Sequence, residues 1–278
     1  MTNNTIAFAG VAGAHADLAC RNAYPKMQTL AVNGFDNVFK AVEDDTAELG
    51  MVPIENSYAG RVAEIHNILA KTKLHIVGEY FLDIEHCLLG INGADPNNIK
   101  QVHSHPQALM QCNNNIAKAG YEPVKEANTA IAAQKIADED DNTKAALASS
   151  LAAELYGLKI LQRNFEDDPL NQTQFIVLSK KPIDPNPDEG QVITTCLFTI
   201  RNMPAALYKC LGGFASNSVN LIKLESYIPA GASKMAQFFI SFEGHPSQQN
   251  VQNAMEELGF FTRKVNILGV YYAAKNRV

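Results

Sequence analysis

None of the five cysteines, at positions 20, 87, 112, 196 and 210, stands in a CxxC pair or at a metal-ligand spacing. That excludes a disulfide framework and a zinc knuckle as organising features, and the thiols read as small buried hydrophobes. No apolar run approaches the ~20 residues of a membrane-spanning helix. The first residues, Met1 to Thr5, place no basic segment ahead of an apolar one. The expectation is a chain with no membrane anchor and no export signal, resident in a reducing cytoplasm. A surplus of positive charge is missing too, since 23 Lys and Arg stand against 29 Asp and Glu for a net charge of −6. This argues against a nucleic-acid or anionic-membrane partner and for a small molecule, while leaving room for a locally positive site.

With 278 residues the chain exceeds the usual size of one domain. From Ile6, short apolar strands alternate with amphipathic helices, the pattern of α/β units around a largely parallel sheet. A strand over 6–9 runs through Gly10 and Gly13 into a helix over 15–23, where glycine lets backbone N–H groups approach an anion. A helix over 35–43 and a buried strand over 49–54 lead to Glu55, Asn56 and Ser57, ahead of a helix marked by Val62, Ile65, Ile68 and Leu69. Strands over 74–77 and 81–89 carry the chain into a second lobe. A strand over 99–103 precedes Ser104, His105 and Pro106, with the proline at the first helical position, and Gln107 and Gln111 share one helix face. His103 and His105 have no carboxylate or cysteine at a matching spacing, so no metal site is expected.

The unit of strand, small polar residues and helix recurs through Asn128 and Thr129 and again through Ser149 and Ser150. Five helix starts, at Gly13, Ser57, Ser104, Thr129 and Ser150, are thus expected at carboxyl ends of strands, where open α/β sheets bind ligands. Each has a local role as cap or tight turn, so it is their number that points to a site for a small polyanion. Asn171-Gln172-Thr173-Gln174-Phe175 adds a hydroxyl flanked by amides, able to donate a proton or hydrogen bonds without charge. A proline-rich polar linker follows, and beyond it the order becomes βαββαβ, a ferredoxin-like unit with no acid–base constellation, read as a binding and assembly module.

Eight segments in order carry a resemblance: GVAGAHADLA (10–19), VPIENSYAGRV (52–62), VHSHPQALMQC (102–112), NTAIAAQ (128–134), ALASSLAAELYGL (146–158), EDDPLNQTQF (166–175), NMPAALYKCL (202–211) and NLIKLES (220–226). Over nearly its whole length the chain resembles the monofunctional prephenate dehydratases with a C-terminal ACT domain. Because these segments begin within ten residues of Met1, no chorismate mutase region is expected ahead of them. The resemblance implies an α/β, two-lobed, periplasmic-binding-protein-like catalytic domain over 1–180, its second lobe at about 79–158. It also implies a linker over 181–191 and a ferredoxin-like ACT domain over 192–278. The implied reaction removes carbon dioxide and water from prephenate to give phenylpyruvate, in L-phenylalanine biosynthesis, with no metal or organic cofactor. Aromatisation drives it, so the protein has to hold two carboxylates and help the ring hydroxyl leave.

By the same resemblance Thr173 is the catalytic group, and Asn56, Ser104 and Gln111 match positions tied to catalysis or substrate binding. Glu55, Ser57, Gln107, Thr129, Gln174 and Gly13 are further substrate-binding candidates. The family's Thr-Arg-Phe becomes Thr173-Gln174-Phe175, replacing a cation expected to hold a carboxylate, a loss of about 1.5 to 3 kcal/mol. Either another cation such as Arg61 or Lys125 compensates, or the substrate differs, or activity is reduced. Met203, Pro204, Ala205, Ala206 and Leu207, with Leu224, Glu225 and Ser226, match an L-phenylalanine site between paired ACT domains, which implies feedback inhibition and a homo-oligomer, dimer or tetramer. There the family's Glu-Ser-Arg-Pro becomes Glu225-Ser226-Tyr227-Ile228. Two other readings stay open: an arogenate dehydratase, acting on the amino counterpart, and a catalytically weakened amino-acid or prephenate sensor. Retention of Thr173, Asn56, Ser104 and Gln111 speaks against the sensor.

Overall fold

Ile6, Ala7 and Phe8 are buried one after another, which a strand achieves only when both faces of its sheet are covered. The computed structural model describes residues 4–228 and 236–277; Met1 to Asn3, part of the N-terminal reading above, lie outside them. The first lobe holds β1 (Thr5–Ala9), β2 (Gln28–Val32), β3 (Leu49–Asn56), the two-residue β4 (Gly60–Arg61) and β5 (His75–Asp83). Its helices are α1 (His15–Ala23), α2 (Phe35–Glu43) and α3 (Ala63–Leu69). The second lobe is built on β6 (Cys87–Gly90), β7 (Gln101–Ser104), β8 (Glu122–Lys125), β9 (Lys144–Ala148) and β10 (Lys159–Gln162), with α4 (Pro106–Gln111), α5 (Asn113–Ala119), α6 (Thr129–Glu139) and α7 (Ser150–Tyr156). The chain then returns to the first sheet as β11 (Gln172–Ser179), between β3 and β5.

The first sheet runs β2-β1-β3-β11-β5 and the second β10-β6-β9-β7-β8. The sheets are largely parallel in strand direction, as expected, but besides the short β4 each has one antiparallel strand inserted in it. β1 is parallel to β2 and β3, and β7 to β8 and β9, but β11 is antiparallel to both its neighbours and β6 to β9 and β10. β11 enters directly from the second lobe with no crossover helix before it, and only an antiparallel strand can be reached so. The strands expected at 74–77 and 81–89 are instead one long β5 and a separate β6, with 84–86 between them crossing from lobe to lobe.

The lobes also meet away from the crossings. Ser149 Oγ donates to the Gly13 carbonyl at 2.6 Å and the Tyr156 hydroxyl to that of Ala12 at 2.8 Å. Gly13 lies at φ +82°, and a Cβ there would stand 3.1 Å from the Cα of Ala152, so glycine permits both the turn and the approach.

The third sheet, β13-β14-β12-β15, comprises β12 (Val192–Ile200), β13 (Leu221–Tyr227), β14 (Gln237–Glu243) and β15 (Thr262–Tyr272). It carries α8 (Ala206–Ser216) and α9 (Gln249–Phe261) in the expected βαββαβ order. This unit is docked on the first lobe. Ile193, Leu197, Phe239, Leu268 and Tyr271 share one apolar core with Val52, Ile54, Ile76 and Leu178. Gly269 passes so close that an added Cβ would lie 2.0 Å from the Ile76 carbonyl oxygen.

Candidate active site

β3 and β11 pair with Thr173 opposite Asn56 and Gln174 opposite Glu55. Side chains alternate along a strand, so Thr173 and Asn56 face one side of the sheet and Gln174 and Glu55 the other. Asn56 Oδ1 accepts from the backbone N–H of Tyr58 at 3.0 Å and of Ala59 at 2.9 Å, which fixes the amide. Its Nδ2 then donates to Thr173 Oγ1 at 2.9 Å and to Asn171 Oδ1 at 2.8 Å. Thr173 is 8 % exposed, and its oxygen is already an acceptor, so its own proton is left to be given away.

These groups line a cavity of about 370 Å³ between the lobes. Asn56, Asn171 and Thr173 face Gln107, Gln111, Asn128 and Thr129 of the second lobe, with Phe35, Val62, Ile84 and Phe175 supplying apolar wall. Among the described residues no Lys, Arg, Asp or Glu lines it. Histidines do. Burial lowers the pKa of His86, whose Nε2 lies 2.9 Å from Gln111 Oε1. That oxygen can only accept, so Nε2 carries the proton and Nδ1 of the neutral ring is a lone-pair acceptor. Nδ1 is buried without a hydrogen-bond partner among the described residues, as is Asn171 Nδ2. His15 packs edge-on to His86 at 5.3 Å and bonds the Glu85 carbonyl at 3.1 Å. Burial first, and the His86 ring second, push its pKa down to about 4.

Five helix starts do converge on this cavity, but not the five expected. α1 arrives through Ala14 and His15, α2 through Phe35, α3 through Val62, α4 through His105 and Gln107, and α6 through Asn128 and Thr129. Ala14 and Val62 give no side-chain cap, which leaves first-turn N–H groups of α1 and α3 for water or a ligand. The start of α7 is instead spent on the latch between lobes, with Ser149 its cap and Ser150 outside the cavity lining.

Of the expected site residues, Thr173, Asn56, Gln107, Gln111 and Thr129 line the cavity, while Gly13, Glu55, Ser57, Ser104 and Gln174 do not. The Gly13 N–H donates to Asp17 and its carbonyl accepts from Ser149. Ser57 starts no helix: its hydroxyl bonds Leu170 and Gln172, extending the β3–β11 pairing. Ser104 is fully buried, donating at 2.6 Å to the Leu147 carbonyl and so tying β7 to β9. Gln174 and Glu55 point away, towards the third sheet, where Lys223 bonds both. A cation at 174 would therefore not reach a carboxylate in the cavity. Arg61 donates to the Ser226 carbonyl and Lys125 is exposed on β8, so neither compensates there.

In the third unit Met203, Pro204 and Ala205 form the turn before α8, Ala206 and Leu207 open that helix, and Leu224, Glu225 and Ser226 lie on β13, an edge strand. Tyr227, where the family has arginine, is buried and its hydroxyl donates to the His66 carbonyl, fastening this edge to the first lobe. His15, His86, Asn128 and Asn171 were not singled out as ligand contacts. His86 belongs to no sequence motif, and Asn128 reads as the cap it also is.

Two α/β lobes joined by crossing segments, with an uncharged, hydrogen-bonding cleft between them, define the class: a periplasmic-binding-protein-like ligand clamp with an appended βαββαβ unit. The family model for prephenate dehydratase matches residues 6–183. The chain is 45% identical over 272 residues, 98% of its length and 97% of the relative's, to the bifunctional N-acyl-homoserine lactone acylase/prephenate dehydratase of Komagataeibacter europaeus. It is 37% identical over 282 residues, 96% of its length and 71% of the relative's, to arogenate dehydratase 2 of Petunia hybrida. The prephenate dehydratase of Arthrobacter aurescens, solved in complex with L-Phe, superposes with a TM-score of 0.87 at 27% identity, covering 98% of this chain and 91% of that one. The chain belongs to the prephenate dehydratase family.

Proposed function

We propose that this protein converts prephenate to phenylpyruvate, water and carbon dioxide for L-phenylalanine synthesis. The observation that carries the reading is the Asn56–Thr173 pair, a buried hydroxyl primed to donate because its oxygen already accepts. The ring carboxylate's C–C bond breaks and its electrons enter the ring. The C–O bond to the ring hydroxyl breaks in turn, and the departing oxygen takes the Thr173 proton to leave as water. Solvent returns that proton to Thr173. A threonine hydroxyl is a weak acid in water, so the walls have to exclude solvent as the charge develops. Asn171, Gln107, Gln111, Thr129 and the uncapped start of α1 supply the donors for the two carboxylates. Among the described residues no Asp or Glu lines the cavity to meet the ammonium of arogenate, so kcat/KM on prephenate is expected to exceed that on arogenate. The deciding assay is phenylpyruvate formation from prephenate by the full chain; a rate equal to that in buffer rejects the reading.

A second reading is favoured by a separate observation. The uncharged cavity adjoins an apolar annex of Tyr58, Pro106 and Met110, sharing Ala59, His105 and Gln107 with it. A neutral acyl amide fits such a cleft, in keeping with the acylase activity in the name of the Komagataeibacter relative. Release of homoserine lactone from an N-acyl derivative tests it.

The chain is further read as monofunctional, with catalytic domain 1–180, linker 181–191 and ACT domain 192–278. The family match ending at 183 and the βαββαβ order support that division. L-phenylalanine is read as an inhibitor held by residues 203–207 and 224–226 between paired units, in a cytoplasmic dimer or tetramer. The L-Phe complex of the Arthrobacter relative supports the effector. A flat activity curve at millimolar L-phenylalanine overturns that part. Among the described residues no helix is long and apolar enough to cross a membrane.

A further inference from the structure

Behind the Asn56–Thr173 pair lies the third sheet. Lys223 of β13 bonds Glu55 Oε2 through its ammonium and lies 3.3 Å from Gln174 Oε1, with its side chain only 10 % exposed. Glu55 and Gln174 are register partners, and each is the chain neighbour of one member of the Asn56–Thr173 rung. One ammonium thus joins the two strands one step from the groups that act on substrate. Behind it, Gln174 Nε2 donates to Glu79 at 3.0 Å, and Glu79 is held by Arg277 at 2.9 Å and by the Ala274 N–H at 3.1 Å.

This contact matters because of where the ladder fails. The β3–β11 register shifts between Gln174 and Phe175, so rungs 174–55 and 173–56 lie beyond an irregularity, next to the turn that follows Asn56. Past that shift β11 stays paired to β5, while β3 is flanked on its other side only by the two-residue β4, so the β3 end of the rung is the part that local opening releases first. Arg61 and Tyr227 attach β13 to the first lobe on either side, through the Ser226 carbonyl and the His66 carbonyl, and Arg61 is also the register partner of Glu55 on β4, but neither side chain bridges Glu55 to Gln174. Lys223 does.

We propose that Lys223 is a positioning residue: by holding Glu55 to Gln174 it keeps Asn56 and Thr173 in register, and so couples the βαββαβ unit to turnover. The kinetic half of the idea rests on the prephenate dehydratase reading; the structural half does not.

The test uses the full-length Lys223→Met and Lys223→Arg proteins, assayed on prephenate and by hydrogen–deuterium exchange. A misplaced catalytic hydroxyl costs up to about a hundredfold, so Lys223→Met should lose at least about tenfold in kcat with KM within about twofold. Lys223→Arg, which keeps the charge, should recover most of that loss. Exchange in peptides covering 53–57 and 171–175 should quicken in Lys223→Met while the second lobe stays unchanged. Unaltered exchange in those peptides overturns the proposal, as does a rise in KM alone or an arginine variant as impaired as the methionine one. If Lys223→Met fails to fold, Glu55→Gln removes the ammonium's charged partner at constant shape and carries the same expectations. Should the wild type form no phenylpyruvate, that failure belongs to the functional reading, and the exchange measurement alone decides this one.

Discussion

The two faces of the β3–β11 pair carry opposite chemistry. The front presents Asn56 and Thr173 to a cavity with no Lys, Arg, Asp or Glu in its lining among the described residues, while the back presents Glu55 and Gln174 to Lys223, with Glu79 and Arg277 behind. The same two strands thus hold the proposed reaction site on one face and, on the other, a charged mounting that fastens them to the third sheet. Strand alternation makes this possible, since adjacent residues face environments on opposite sides of the sheet. It also places position 174, where the family has arginine, on the mounting and away from the cavity.

The sharpest way to break the comparison is to remove the front. Thr173→Ala should lower kcat by about a hundredfold to ten-thousandfold, the range for losing a general acid, with KM little changed, as steady-state kinetics on prephenate will show. On the back, Arg277→Ala leaves the fully buried Glu79 carboxylate without its cation. Stranding one member of such a pair should cost about 3 kcal/mol in denaturant unfolding, with kcat much less affected than in Thr173→Ala.

A pH scan sharpens the contrast from the front. His15 titrates at about 4 in the folded chain against 6.5 unfolded. Between those values the unfolded state binds more protons, so stability is full above 6.5 and falls as pH drops towards 4. Allowing for the partial exposure of the ring, the loss is on the order of 2 kcal/mol, readable as a lower unfolding midpoint at pH 5 than at pH 7. In His15→Phe that slope should flatten. The smallest effect on KM belongs to Gln174→Arg. Facing away from the cavity, it should change KM for prephenate by no more than about threefold, or roughly 0.6 kcal/mol; a tenfold fall in KM would return position 174 to the substrate site.

Much of the architecture was legible in the order of elements. The helix expected over 35–43 is α2 residue for residue, and the βαββαβ order of the third unit stands as read. Amides and hydroxyls at strand ends and helix starts marked the stretches that hold Thr173, Asn56, Gln107, Gln111 and Thr129, and the family resemblance is what nominated Thr173, Asn56 and Gln111 among them. What failed was assigning a ligand to every such group. Ser104, Ser57 and Gly13 have the same local look, yet their polar atoms are consumed by Leu147, Leu170, Gln172, Asp17 and Ser149, partners up to 136 positions away. The orientation of Gln174 was readable in principle, since a residue next to Thr173 on a strand has to face the other way.

Local composition and spacing, then, were enough to place many of the strands and helices and to show which side chains carry hydroxyls and amides, because those properties depend on near neighbours. The direction of β11, the meeting of His15 with His86, and the capture of Glu55 and Gln174 by Lys223 were decided only when distant segments packed together. Hydrogen-bond partners and burial are properties of a place in space, and chain position alone does not specify that place.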